Sequence, residues 1–208
     1  MSENFHLPPT EGKRSGYACD IDTQKQLLYD ILARNPVLFA VIREAPSLGL
    51  EHYYVGAGCV CQTVWNVQNG LDPMHGISDI DFVYFDEDLS YEKEDSVIRR
   101  VKDRFRGLPV DIDVKNEARV HLWYREHNGY DIPPYASLEE AINTWPTTAT
   151  SIGVRLQGGA FIVYAPFGLN DLFGQIVRAN KAQITEEIYR KKCEKWCARW
   201  NTLTVVPW

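Results

Sequence analysis

The sequence predicts an α+β domain with an α/β-like succession of elements: a small mixed β-sheet flanked by helices, and a helical C-terminal part. Three observations point there. Apolar residues spaced three and four apart alternate along the chain with short segments of period-two alternation. Capping and turn residues fall at the joints between those segments. And 208 residues with 45% hydrophobic and 12% aromatic content are enough to bury one sizeable core.

The opening eighteen residues, MSENFHLPPTEGKRSGYA, mix polar, Pro and Gly positions without apolar periodicity. They read as a flexible leader over 1–18, followed by one domain over 19–208. TQKQLLYDILAR (23–34) sets Leu27, Leu28, Ile31 and Leu32 on one helical face, and NPVLFAVIREA restarts a helix with Asn35 as cap and Pro36 at its first position. EHYYVGAG reads as a short strand ending in Gly56-Ala57-Gly58. CVCQTVWNVQNG follows as a helix closed by Asn69-Gly70.

GISDIDFVYFD (76–86) is a strand, and DEDLSYEKED behind it reads as a solvated connection. EDSVIRRVKDRFRG carries Val97, Ile98, Val101 and Phe105 in a helical stripe and stops at Gly107. In VDIDVKNEARVHLWY, Val110, Ile112 and Val114 alternate with Asp111 and Asp113, the pattern of a strand with one acidic face. SLEEAINTW opens with Ser137 and has Glu140 three positions on, a capping box. Residues 151–165 read as a hairpin around Gly158-Gly159, Asn170 as the cap of DLFGQIVRAN, and Thr185 as the cap of a last helix. That helix carries Tyr189, Cys193, Trp196, Cys197 and Trp200 in one stripe, which reads as core.

Composition excludes several classes. No apolar run reaches the roughly 18 residues of a spanning helix, and Met1 is not followed by a signal-peptide pattern, so a cytoplasmic protein is expected. The five cysteines show neither CxxC spacing nor a matching His pair and read as reduced thiols. A net charge of −6 argues against a dedicated nucleic-acid binder.

The two carboxylates inside GISDIDFVYFD carry the chemistry. In a strand, residues two apart project from one face, so Asp79 and Asp81 point together while Ile80 and Phe82 face the core. Like charges that close need a proton or a cation. Asp111 or Asp113 brings a third carboxylate from a neighbouring strand, and an all-oxygen cluster suits Mg²⁺ or Mn²⁺ better than zinc. Such cations bind both the attacking and leaving oxygens of a phosphoryl displacement. Gly56 and Gly58, between strand and helix, let backbone N–H groups approach phosphates. An EF-hand is excluded, because Tyr84 stands where that loop needs Gly.

With this order of glycine turn, helix, D-x-D strand, helix and second acidic strand, the chain resembles the DNA polymerase β-like nucleotidyltransferase superfamily. More closely it resembles the nucleotidyltransferase-like family of bacteria and fungi once classed as a domain of unknown function. The resemblance spans roughly residues 25–208 and rests on GAGCVCQTVWN, GISDIDFVYFD, DVKNEARVHLWY, TWPTTATSIGVR, APFGLNDLF and the terminal RW…PW. It implies a palm-like sheet, with Asp79, Asp81 and Asp113 as metal ligands and catalytic acids. Asp113 is preferred to Asp111 because it lies inside DVKN. The resemblance also places Gly56 and Gly58 at the phosphate-proximal turn.

Lys115 and Arg119 follow the third acid and are candidates to neutralise phosphate, while Gln62 and Asn66 share a helical face suited to a sugar or base. Arg155, Arg178 and Lys181 are further candidates for a nucleotide or acceptor; His121 reads more simply as a core or edge histidine than as a base, and Trp65 as core. The expected activity is metal-dependent transfer of a nucleoside monophosphate from an NTP to a hydroxyl or amine. Small-molecule or protein acceptors are favoured over nucleic acid. The rivals are a nucleotide sensor without turnover and a D-x-D glycosyltransferase, the latter needing a larger donor-binding half than this length offers.

Overall fold

The computed structural model describes residues 15–208. Of the expected leader, 1–14 lie outside the described residues. Residues 15–18 form a turn held to the body: the Ala18 N–H donates to Asn170 Oδ1 at 3.1 Å, and Gln24 Nε2 donates to the Gly16 carbonyl at 2.8 Å. Asn170 therefore does not cap its own helix. Leu169 holds that position, and the Asn170 side chain ties down the entry of the chain instead.

Helices α1 (Ile21–Leu32) and α2 (Pro36–Glu44) are capped by Asp20 and Asn35, whose side chains accept N–H groups of the first turn. Strand β1 (Tyr53–Gly56) leads into α3 (Gly58–Gln68), and β2 (Asp79–Tyr84) into α4 (Tyr91–Arg104). Helix α4 begins three residues before the expected segment EDSVIRRVKDRFRG and six before its apolar stripe: Ser90 caps it, so half of the supposed connection DEDLSYEKED is helix. Strand β3 (Asp111–Asn116) runs into a 3₁₀ turn (Glu117–Leu122) and α5 (Tyr124–Asn128). Then come α6 (Leu138–Asn143) and the hairpin of β4 (Gly153–Gln157) and β5 (Ala160–Tyr164), turned by Gly158 and Gly159 at φ +57° and +82°. Helix α7 (Asn170–Phe173), strand β6 (Ile176–Val177), helix α8 (Glu186–Cys197) and strand β7 (Thr204–Val205) complete the chain. Among the described residues no helix is long and apolar enough to cross a membrane.

Five strands form one mixed sheet in the order β3-β2-β1-β4-β5, with β2 and β3 parallel and the other pairs antiparallel. Alternation gives this sheet two different faces. Tyr53, Val55, Ile80, Phe82, Ile112, Val114 and Val154 enter the main core, where the Tyr53 and Phe82 rings stack at 5.5 Å. On the other face, Tyr54 and Val83 pack under Leu138 and Ile142 of α6. This second cluster covers only part of that face. Beyond it lie Asp79 and Asp81.

In the main core the α8 stripe is buried as expected at Tyr189, Cys193, Trp196 and Trp200, and Cys197 is half-buried. Trp65 of α3 meets Trp196 and Trp200 edge to face at 5.7 and 5.6 Å. All five cysteines are free thiols.

Candidate active site

The parallel pairing of β2 with β3 sets Asp79 opposite Asp111 and Asp81 opposite Asp113. Residues so paired share a face, and the uncovered part of it opens into a cavity of about 470 Å³, within the size range of small-molecule sites. Asp79 and Asp81 line it, and Trp123, Tyr124 and Tyr135 close one side. Of the other lining residues, Ala57, Gly58 and Gln62 belong to the β1–α3 turn, Gly76 and Ser78 to the loop before β2, Lys115 and Glu117 to the end of β3, and Lys192, Lys195 and Arg199 to the α8 region.

Asp81 lies deepest of the β2 acids. Burial pushes its carboxyl up to about 6; Lys115 pulls it down, and Asp79 and Asp113 push it further up. Asp79 is exposed at the cavity mouth and accepts a hydrogen bond from Ser78 Oγ at 2.7 Å. Asp113 stands beside Asp81 in register, but its carboxylate is paired with the Lys115 ammonium rather than lining the cavity. Burial lowers the Lys115 ammonium, and the hydrogen bond and charge of Asp113, with Asp81 and Glu117, overcome that and raise it. Asp111 turns away, is two-thirds exposed and pairs with Lys102 of α4 at 3.2 Å, which leaves Asp113 as the inner partner of the β2 acids. Among the described residues no group of three or more His, Cys, Asp or Glu side chains is arranged to hold a metal ion, in keeping with Asp113 being turned to Lys115.

The glycine turn divides into two roles. Gly56 does not line the cavity. A Cβ there would run into the Ile152 carbonyl oxygen and lie 3.2 Å from Gly153 Cα, so close packing of β1 on β4, not phosphate, demands a glycine. Gly58 does line it, and a Cβ there would meet Gln62 Nε2 at 2.9 Å. Between them Ala57 holds φ +56°, a strained setting for a residue with a Cβ, at the point where the α3 N-terminus faces the cavity. Gln62 presents a buried Oε1 with no hydrogen-bond partner among the described residues.

Other expected contacts go elsewhere. The Arg119 guanidinium is buried against Glu94 of α4 in an ion pair that ties the 3₁₀ turn to that helix, and it does not reach the cavity. Asn66 is fully buried: it donates to the carbonyls of Pro73 and His75 and accepts the Trp200 indole N–H, fixing the loop that carries Gly76. Arg155 lies over the Tyr54 ring, Arg178 pairs with Asp171, and Lys181 lies over Trp208. His121 is half-buried outside the cavity.

Two groups were not anticipated from the sequence. Lys192, Lys195 and Arg199 stand at helical spacing immediately beside the buried stripe residues Cys193, Trp196 and Trp200, so the edge of that stripe is cationic and faces the acids. Burial pulls the Lys192 ammonium below its ordinary value, against the upward pull of Asp81 and Asp79. Glu117 is the second. It is 5% exposed, and burial pushes its carboxyl up to about 7, with Lys115 lowering it and Asp81 and Asp113 raising it. It gives no sequence signal because strand alternation ends at Asn116.

A family model described as nucleotidyltransferase matches residues 43–205, a span that takes in the glycine turn, both acidic strands and α8. Among solved structures, the chain is similar to a protein whose NMR structure reveals a CCA-adding enzyme head domain. The identity is 25% and the TM-score 0.72, over 91% of this chain and 100% of that one. A tRNA-processing enzyme in an apo form covers 80% of this chain and 44% of its own at 16% identity and a TM-score of 0.43, a likeness too slight to bear on the fold. No curated protein matches the sequence. The paired acidic strands, the open sheet face and the family match agree, and the chain belongs to the nucleotidyltransferase family.

Proposed function

We propose that this protein transfers a nucleoside monophosphate from an NTP to an acceptor hydroxyl or amine, releasing pyrophosphate, with the help of Mg²⁺ or Mn²⁺. One observation carries the reading: Asp79 and Asp81, with Asp113 in register beside them, face Lys192, Lys195 and Arg199 across a single cavity. That is a charge pattern suited to a polyphosphate bridging from cation-binding carboxylates to cationic side chains.

The donor set supports a hard divalent cation, because it consists of carboxylate oxygens and includes Asp81, a half-buried carboxylate that accepts no hydrogen bond among the described residues. Asp79, Asp81 and Asp113 would hold the metal, which when bound neutralises charge on the transferring phosphoryl group. In the transfer, the acceptor oxygen or nitrogen bonds to the α-phosphorus as the bridging bond to the β-phosphate breaks. Asp113 takes the acceptor's proton, and the departing pyrophosphate faces the cations of α8. The N–H groups opening α3 and the Gln62 side chain sit where they can orient the nucleotide. The acceptor is a small molecule or protein on the strength of the net charge of −6.

A nucleotide-binding domain without turnover is the second reading. It is favoured by the Lys115 ammonium, which already sits on Asp113 where a cation is needed. Calorimetry with the four NTPs, with and without Mg²⁺, followed by pyrophosphate release over a metabolite panel, separates the two. Metal-dependent binding with turnover is the expected result. Binding that persists in the Asp79→Asn, Asp81→Asn double variant overturns the assigned site.

A further inference from the structure

Glu117 is the one charged side chain of the cavity that is more than nine-tenths buried, and among the described residues it makes no hydrogen bond or ion pair. A carboxylate in that state is costly to keep unless a ligand completes it. Its neighbour Lys115 is committed to Asp113. The same cavity is lined by three aromatic residues, Trp123, Tyr124 and Tyr135, the last of which is close enough to be influenced by the charge of Glu117. The Tyr135 hydroxyl is engaged by Gln183 Oε1 at 2.8 Å and Thr144, and the Tyr124 hydroxyl by Tyr130, so these rings are held in place with their polar ends occupied.

Its place along the reaction axis follows from strand direction. Arg199 Nη1 donates to the Gly76 carbonyl at 2.7 Å just before β2, whereas Glu117 follows the last residue of the parallel β3, beyond the Asp81–Asp113 pair. Asp81 thus stands between a cationic end and a Glu117 end. In a phosphoryl displacement, the attacking atom and the leaving oxygen lie on opposite sides of phosphorus. If pyrophosphate departs toward α8, the acceptor arrives from the Glu117 end.

We propose that this end is the acceptor subsite, and that it selects a small molecule carrying an ammonium group, held by Glu117 within the rings of Trp123, Tyr124 and Tyr135. The inference rests on the nucleotidyl-transfer reading for its orientation, and on Glu117 and its surroundings for its chemistry. A buried anion walled by aromatic faces attracts an organic cation through both charge and the ring quadrupoles. A neutral acceptor leaves the carboxylate uncompensated, and a polyanion such as an RNA end is repelled by it. Glu117 is a specificity residue in this scheme, remote from the reacting phosphorus.

The test uses the full chain without nucleotide and matched pairs differing in one charge: choline against 3,3-dimethylbutan-1-ol, and glucosamine against glucose. Binding is followed by tryptophan fluorescence and by NMR shifts of the Trp123 indole. The expected result is a preference of about tenfold or more for the cationic member of at least one pair. It should collapse to within about twofold in Glu117→Gln and weaken in Trp123→Leu. Equal affinities within every pair overturn the proposal, as does a preference that survives Glu117→Gln in a variant with an unchanged melting profile. A short RNA oligonucleotide that binds competitively and shifts the Trp123 signal overturns it in favour of a nucleic-acid acceptor. The wild-type ratio stands even if a variant fails to fold. Loss of Mg²⁺-dependent NTP binding, measured separately, strikes the nucleotidyl-transfer reading, while loss of cation preference alone strikes only this subsite.

Discussion

The two faces of the five-stranded sheet are built from the same strands and differ by one residue of register. Toward the core, Ile80 and Phe82 alternate out of β2 and Ile112 and Val114 out of β3, all buried. On the opposite face, the intervening positions are Asp79, Asp81 and Lys115, which line the cavity, and Asp113, paired with Lys115. The inner face is sealed by helices; the outer is covered by α6 only at its Tyr54 and Val83 end. The contrast teaches that stability and chemistry are separable here along a single strand, one alternate residue at a time. It also shows that the charged face exists at the expense of the apolar one: burying Asp81 and Glu117 raises both carboxyl groups above their ordinary range.

Substitutions confined to the outer face should have the largest effect. Replacing Asp79 and Asp81 together by Asn should lower pyrophosphate release by four orders of magnitude or more, roughly 5 kcal/mol or above in transition-state stabilisation. The melting temperature should hold or rise. A large drop in stability would show that the two faces are not independent. Next in size is the inner face: Phe82→Ala, one residue along, should cost about 3–5 kcal/mol of unfolding free energy in a denaturant titration. Its kcat/KM, measured well below the melting transition, should change far less.

Acid sharpens the contrast further. Glu117 and Asp81 hold protons more tightly folded than unfolded, at about 7 and about 6 against 4.5 and 3.8. The native state therefore binds more protons in that window, so metal-free stability should fall as pH rises from about 4 to about 7. Glu117 contributes on the order of 3 kcal/mol to that decline. Glu117→Gln should flatten the profile, and an unchanged slope would remove the carboxylate from its assigned environment. The smallest expected effect lies on the cationic edge. Lys192→Gln should raise KM for the NTP by about tenfold, the loss of one charge-assisted contact, with little change in kcat. Arg119→Gln, by contrast, should act on stability through Glu94 and leave the KM near its original value.

What was legible in the sequence follows the range over which each signal acts. Asp79, Asp81 and Asp113 announced a shared face because strand alternation is a local property, and the structure pairs their strands in that register. The caps Asn35, Ser137 and Thr185 were likewise readable within four residues. Ser90 escaped notice because Glu92, Lys93, Glu94 and Asp95 separate it from the apolar stripe that starts at Val97. The neighbours of Gly56 and Arg119, Ile152 and Glu94, could not be read locally because they are distant along the chain. The cations of α8 were in plain view at helical spacing, adjacent to a stripe that drew attention to its apolar members. Glu117 had no pattern to betray it, since it sits where β3 gives way to a 3₁₀ turn.

The tryptophan cluster has one more implication. Trp200 donates its indole N–H to Asn66 Oδ1 at 2.7 Å and, with Trp196, packs edge to face on Trp65, so the last helix is riveted to the helix whose N-terminus opens on the cavity. The anion-facing backbone and the lysine-bearing edge thus share one rigid frame. Damage at that rivet would displace both jaws of the candidate site simultaneously, which ties the C-terminal segment to the cavity as firmly as the acidic strands.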